Sequence, residues 1–161
     1  MKTKSTIFIP LVALIVALGV MPAIPQEKPT DDMQILREKV RADKKLVVAA
    51  NMDLTESEAK GFWPVDESYQ KELEIINRRL AKLIVDYAEE YNSKTLSDEK
   101  AKALADEMLT IEETEVVLRK SYAPRLGKIL PARKVARYLQ IENKIRAIVK
   151  YELAAGVPLV P

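Results

Sequence analysis

The side chains able to do acid–base chemistry in this 161-residue chain are chiefly carboxylates, because it contains neither histidine nor cysteine. Glu112 and Glu115 could serve as a paired general acid and base on one helix. Acidic residues on a helix face are, however, usually solvated charges. Without imidazole or thiolate, the chain lacks the common nucleophiles and the usual soft-metal ligands. We therefore predict that it is not an enzyme and has no catalytic residues, no metal site and no cofactor.

Sequence motifs for phosphate or acyl chemistry are missing as well. The chain has no GxGxxG, P-loop or GxSxG pattern, and it has only four glycines. Aromatic and basic residues are the remaining candidates for a binding role. The candidate partner-binding residues are Phe62, Trp63, Tyr69, Arg125, Arg133, Arg137 and Lys144.

The N-terminal residues have the layout of a secretory leader. Lys2 and Lys4 precede an uncharged apolar run, Ile7 to Val20, which is followed by small and turn residues. We expect residues 1–25 to be a signal peptide and residues 26–161 to form a single helical domain. An uncleaved anchor is the alternative, since about 20 apolar residues can cross a bilayer. In either case the domain is exported.

The segment that follows the linker is predicted to be helical almost throughout, and its second helix begins with a capping box. Thr55 is the N-cap and Glu58 reaches back to it from the third helical position. Pro64 interrupts this helix, and we expect a bend there. Phe62 and Trp63 are expected to plug the inner side of that bend, with an exposed binding anchor as the alternative.

A heptad pattern in the second helix predicts its packing. The spacing would bury one side of a rod about 40 Å long, at about 1.5 Å per residue. A third helix begins near Asp98 after a short turn, so the two should form an antiparallel hairpin. Glu115 interrupts the apolar seam of this third helix. The seam residues of the second helix are Tyr69, Leu73, Ile76, Leu80, Leu83 and Tyr87.

Two prolines are expected to set a bend and a helix start in the C-terminal third of the chain. Pro124 is expected to bend the third helix, and Pro131 to begin a fourth. A first helix, capped by Thr30 or Asp31, precedes the hairpin. The sequence thus predicts an all-α fold of four helices, a kinked antiparallel long-helix hairpin with flanking helices. The inward residues expected of the fourth helix are Val135, Tyr138, Ile141, Ile145 and Ile148.

Charge is segregated along the chain although the total is nearly balanced. Without Lys2 and Lys4, the 26 basic residues become 24 and equal the 24 acidic ones. Acidic residues dominate from Asp86 to Val116, whereas Arg119 to Lys150 contains ten basic residues and one acid, Glu142. The basic stretch either lies against the acidic hairpin, which we favour, or forms a surface for an acidic or unfolded partner. Nucleic acid is not expected to be a partner of an exported protein.

These features resemble the Spy/CpxP-type periplasmic proteins, which carry an LTxxQ motif. Leu54-Thr55-Glu56-Ser57-Glu58 matches one copy of the motif, with Glu in place of Gln. The position of the second copy, Leu130-Pro131-Ala132-Arg133, keeps the Leu and the Pro but lacks the Thr and the Gln of the motif. The likeness covers roughly residues 32–153, and the chain looks like an uncharacterised branch of that group.

The resemblance implies a cradle-like homodimer in the periplasm that binds polypeptide, as an ATP-independent chaperone or an envelope-stress adaptor. Basic residues between Arg119 and Lys150 would supply part of the client surface. A neighbouring branch of the family binds metals through histidines, which this chain lacks, so metal sensing is not expected. The alternative is a structural or interaction module with one dedicated protein partner, held at the inner membrane only by an uncleaved leader.

Overall fold

A computed structural model of the chain describes residues 43–161, which form four helices and contain no strand. Helix α1 occupies residues 43–52 of this part, α2 is Glu56–Ser93, α3 is Asp98–Gly127 and α4 is Ala132–Gly156. The predicted all-α fold is confirmed. The predicted leader and first-helix caps lie outside the described residues. Within the described helices, no segment is both long and apolar enough to cross a membrane.

Helix α2 begins at the predicted capping box and continues through Pro64. The Thr55 hydroxyl accepts a hydrogen bond from the Glu58 amide at 3.2 Å, and the Glu58 carboxylate accepts one from the Thr55 amide at 2.8 Å. The expectation that Pro64 interrupts the helix is wrong, because α2 is unbroken from Glu56 to Ser93. Proline removes one backbone hydrogen bond, but its fixed φ is helical. Phe62 and Asp66, two residues before and two residues after Pro64, are both buried.

Helices α2 and α3 form the predicted hairpin. Lys94 ends α2 with a left-handed φ of 57°, and its amide donates to carbonyl oxygens of the last turn. Ser97 then caps α3 by accepting a hydrogen bond from the Lys100 amide at 3.3 Å. The predicted seam of α2 is buried, apart from the half-buried Leu80. Tyr69 meets Tyr122 of α3 edge to face, with ring centroids 5.3 Å apart.

Helix α3 also continues through its proline, Pro124, and ends at Gly127. Pro131 is the N-cap residue of α4, as expected, although it provides no side-chain cap. The prediction that Ile148 faces inward is wrong, because 65% of it is exposed. Glu142, with 4% exposure, lies on the inner side of α4 instead. A charged group can be buried in this way when hydrogen bonds and ion pairs compensate its loss of hydration.

Helix α4 stands away from α2. No Cα atom of α2 lies within 8 Å of a Cα atom of α4, so long side chains must bridge the two helices. Near the start of α4, aromatic rings fill the gap: Tyr138 lies edge to face against Phe62, with centroids 5.1 Å apart, and against Tyr69 at 6.2 Å. Further along α4 the gap remains open. This separation creates the clefts described next.

Candidate functional site

Two adjoining clefts lie between α4 and the α2–α3 hairpin. Cleft A has a volume of about 610 Å³ and is also bounded by α1. Cleft B has a volume of about 520 Å³ and is closed on one side by residues 157–160, which follow α4. Sites for small ligands commonly have volumes of about 300–1,000 Å³. Both clefts are therefore large enough to hold a ligand. Their shared wall residues are Leu80, Arg146, Lys150 and Leu153.

Apolar atoms provide most of the exposed surface of both clefts, although more than half of the residues that line cleft A are charged or polar. In cleft A the apolar wall residues besides the shared ones are Val47, Val48, Leu73, Ile145 and Val149. In cleft B they include Leu83, Ile84, Leu104, Met108 and Ile111. The hydroxyl of Tyr87 donates to the Pro158 carbonyl at 3.0 Å, which fixes the C-terminal residues against α2. Such walls favour apolar side chains or aliphatic chains as occupants.

The floor of cleft A is polar. Its first part consists of Lys44 of α1, Gln70 of α2 and Glu142 of α4, which are hydrogen-bonded to one another. The Lys44 ammonium donates to the Gln70 carbonyl oxygen at 2.8 Å and to Glu142 at 2.9 Å. The amide nitrogen of Gln70 donates to the other Glu142 oxygen at 3.2 Å. Glu142 is thereby both ion-paired and hydrogen-bonded. Its burial is compensated as a buried carboxylate requires.

Asp66 forms the second part of the floor, and Tyr138 lies buried behind it without lining the cleft. The Tyr138 hydroxyl donates to Asp66 at 2.6 Å, and Gln70 donates to the same Asp66 oxygen at 3.2 Å. Burial, reinforced by the negative charges of Glu142 and Asp66, raises the pKa of Tyr138. The hydroxyl therefore keeps its proton and acts as a hydrogen-bond donor to the carboxylate.

An ion cluster forms the third part, where α3 faces α4. Glu115 is 2% exposed and pairs with Arg146, while the Arg119 Nε lies 3.8 Å from its other oxygen. Burial lowers the pKa of Arg146. The buried Nε atoms of Arg119 and Arg146 have no hydrogen-bond partner within residues 43–161. The cluster thus retains two donors that are not used by the protein groups around it.

The two carboxylates considered as a paired acid and base each have a cationic partner on α4. Glu115 is buried against Arg146, and Glu112 accepts a hydrogen bond from Lys150 at 2.7 Å. The expectation that both carboxylates are solvated is wrong for Glu115, because a cation from α4 compensates its burial. Residues 43–161 contain no group of three or more side chains that could hold a metal ion.

The aromatic candidates lie at different depths. Phe62 is fully buried, and Tyr69 is buried at 3% exposure beside cleft A. Trp63 is half-buried, and the Lys45 ammonium lies 4.9 Å from its ring centroid. Phe62 and Trp63 contact each other edge to face at 5.0 Å. Phe62 is thus part of the core, while Trp63 retains a partly accessible face.

The basic residues divide into two groups, so neither of the two predicted arrangements holds for the whole stretch. Four residues, Arg119, Lys134, Arg146 and Lys150, pair with acids of the hairpin. The exposed members without an ion pair in the described part of the chain are Lys120, Arg125, Lys128, Arg133, Arg137 and Lys144. Arg125 lies over the Tyr122 ring at 4.4 Å. The candidates Arg125, Arg133, Arg137 and Lys144 line neither cleft.

Sequence reasoning missed most of the polar floor. The sequence marked two of these polar residues as unusual: Glu115 occupies an apolar position of the α3 seam, and Glu142 is the one acid in a basic stretch. Lys44, Asp66 and Gln70 carried none, because nothing in their local spacing distinguishes them from surface residues. Only the crossing of the helices brings these groups together.

Comparisons with protein-family models, curated proteins and solved structures give no match for this chain. Its function must therefore be inferred from its own residues.

Proposed function

We propose that this chain is an exported, non-enzymatic helical protein that binds polypeptide, as an ATP-independent chaperone or an envelope-stress adaptor of the Spy/CpxP type. The pair of adjoining clefts carries the proposal. The apolar surface of the clefts suits apolar side chains, and the charged and polar residues that line cleft A suit the hydrogen-bonding groups of a peptide backbone. A polypeptide segment presents both kinds of group within a few residues.

The dimensions of the clefts support a short extended segment. On α4 the wall runs from Glu142 to Ala154, which corresponds to about 18 Å at 1.5 Å per residue. An extended chain rises about 3.3 Å per residue, so about five residues would span this length. The Nε donors of Arg119 and Arg146, which make no hydrogen bond within residues 43–161, lie beside this path and would reach backbone carbonyl oxygens after a side-chain movement.

A matched pair of substitutions tests the proposal. Met108 is 39% exposed and lines cleft B, whereas its neighbour Leu109 is 65% exposed and lines neither cleft. Met108→Gln should weaken suppression of the aggregation of an unfolded model client, because it places an amide in the apolar wall. Leu109→Gln should leave suppression unchanged. No suppression by the unmodified chain at several-fold molar excess would exclude general chaperone activity.

A dedicated protein partner is the alternative function, with the module tethered by an uncleaved leader. The fixed hydrogen bonds of the cleft A floor favour it, since promiscuous binders commonly use adaptable, methionine-rich surfaces. Mass spectrometry of the mature N-terminus in the native host separates a tethered from a released protein. Equal protection of several unrelated clients would favour the chaperone.

Self-association belongs to the same proposal. The family resemblance implies a cradle-like homodimer, in which a second copy would extend the binding surface. Sedimentation velocity at tens of micromolar protein should then give a dimer. A clean monomer would remove the cradle from the proposal but leave the clefts of the single chain as the binding site.

A further inference from the structure

The outer face of α4 combines positive charge with exposed apolar groups. Helical spacing places six residues on one stripe, on the side opposite the clefts, and all six are exposed. The stripe contains no acidic residue. Its members are Arg133, Arg137, Gln140, Lys144, Ile148 and Tyr151.

The cations of this stripe are not used inside the described part of the molecule. Arg133, Arg137 and Lys144 have no ion pair within residues 43–161, whereas Lys134, Arg146 and Lys150 of the same helix do. Arg133 and Arg137 are also one helical turn apart, where like charges repel. An external anionic partner would relieve that repulsion and supply the missing counter-charge.

The apolar end of the stripe narrows the choice of partner. Ile148 and Tyr151 are 65% and 72% exposed, although both lie on a helix whose opposite side is buried. Tyrosine is enriched where a membrane meets water, because its ring is apolar and its hydroxyl can remain hydrated. Cations beside such residues are typical of helices that lie on anionic bilayers.

We propose that the outer face of α4 binds the surface of an anionic phospholipid bilayer, an interaction that goes beyond the proposed binding of polypeptide. From Arg133 to Tyr151 the stripe is about 27 Å long at 1.5 Å per residue. A planar surface can contact a straight line of groups on the outside of a helix along its whole length. A peptide would be better held by a groove, and the grooves of this molecule lie on the other side of α4.

Vesicle sedimentation with the full chain tests the proposal. The probe is a set of phosphatidylcholine vesicles with and without phosphatidylglycerol. The leader, with Lys2 and Lys4, also favours the anionic vesicles, but every variant carries the same leader, so comparison between variants cancels its contribution. Binding should increase with the anionic lipid and decrease as salt is raised. The triple variant Arg133→Gln, Arg137→Gln, Lys144→Gln should lower the anionic-lipid partition coefficient on the order of a hundredfold.

A second triple variant provides a control with the same loss of charge. Lys120→Gln, Arg125→Gln and Lys128→Gln remove three exposed cations outside the stripe and should lower partitioning less than tenfold. Ile148→Gln with Tyr151→Gln should weaken binding and leave the residual binding more sensitive to salt. Circular dichroism verifies that each variant remains folded.

Three results would overturn the proposal. The first is equal binding to neutral and anionic vesicles. The second is an equal loss in the two triple variants, which would indicate only a response to net charge. The third is stripe-dependent binding of soluble polyglutamate without any binding to anionic vesicles, which would assign the face to acidic polypeptide. Client protection by the stripe variants is measured in parallel, because the proposed polypeptide function predicts that it is retained.

Discussion

Arg146 of α4 forms an ion pair with Glu115 of α3 inside the molecule, beside the wall that the two clefts share. The side chain of Glu115 is 3% exposed and that of Arg146 is 17% exposed. A buried charge without its partner is strongly unfavourable, so each of these residues requires the other. The long arginine side chain reaches from α4 to the acid on α3, while the Cα atoms of α4 stay more than 8 Å from those of α2.

Removal of the acid from this pair should destabilise the fold. Glu115→Gln removes the paired counter-charge of the largely buried Arg146 and leaves only the charge of Glu112 near it, so we expect a loss of about 3 kcal/mol in the free energy of unfolding. Denaturant titration followed by circular dichroism measures it. Glu113→Gln changes an exposed neighbour and should cost less than about 0.5 kcal/mol. Equal effects of the two substitutions would show that the pair is not buried in solution.

The double variant distinguishes a requirement for charge from a requirement for volume. Glu115→Leu combined with Arg146→Met removes the buried pair and keeps apolar bulk, while Arg119, which also loses Glu115, is 29% exposed and keeps access to water. The double variant should therefore be neutral or stabilising relative to the unmodified chain. Its clefts should then be less polar at their shared wall. A double variant as unstable as Glu115→Gln would contradict this account.

The helices of this fold were predictable from sequence because caps and apolar periodicity are local signals. Thr55 and the α2 seam are examples, since each depends on residues only three or four positions apart. The inward face of α4 was misassigned at Ile148 because periodicity assumes that charged residues face water. Glu142 and Arg146 face inward instead, and their partners lie on other helices. The clefts result from the distance between α2 and α4, which no local pattern encodes.

The two adjacent aromatic residues of α2 should differ in their effect on stability. Phe62 is fully buried and packs against Tyr138, so Phe62→Ala should cost about 3–5 kcal/mol. Trp63 is half-buried, and Trp63→Ala should cost clearly less. Denaturant titration of both variants provides the comparison. A larger loss for Trp63 would mean that tryptophan is the plug, as one interpretation of the sequence suggested.

Gly61 marks a close approach between α2 and the turn that precedes α4. A Cβ atom at this position would lie 2.8 Å from Cγ2 of Ile129. Gly61→Ala should therefore lower stability by about 1–3 kcal/mol through overpacking, despite the better helix propensity of alanine. Gly127 has no atom within 4 Å of such a Cβ, so Gly127→Ala should be neutral or stabilising by up to about 1 kcal/mol. In an Ile129→Ala background the penalty at Gly61 should shrink, and an unchanged penalty would exclude this contact as its cause.

Acid should weaken the contact between the start of α2 and α4. The Lys134 ammonium donates to Glu58 at 2.6 Å, and this bond, together with the Thr55 amide, lowers the pKa of the Glu58 carboxyl. A folded-state pKa below the unfolded value means that folding favours the ionised form. The stabilisation is therefore present above the unfolded pKa of about 4.3 and is lost as the pH falls through the folded pKa.

Thermal unfolding at several pH values between 7 and 2 measures this contribution. Glu58→Gln should lower the midpoint at pH 7 and reduce its further decrease in acid, because the carboxylate that titrates has been removed. Glu56→Gln is the matched control, since Glu56 is exposed in the same first turn and has no ion pair within residues 43–161. Its midpoint should follow that of the unmodified chain across the range. If Glu58→Gln also followed the unmodified chain at every pH, the bond to Lys134 would not contribute to folding.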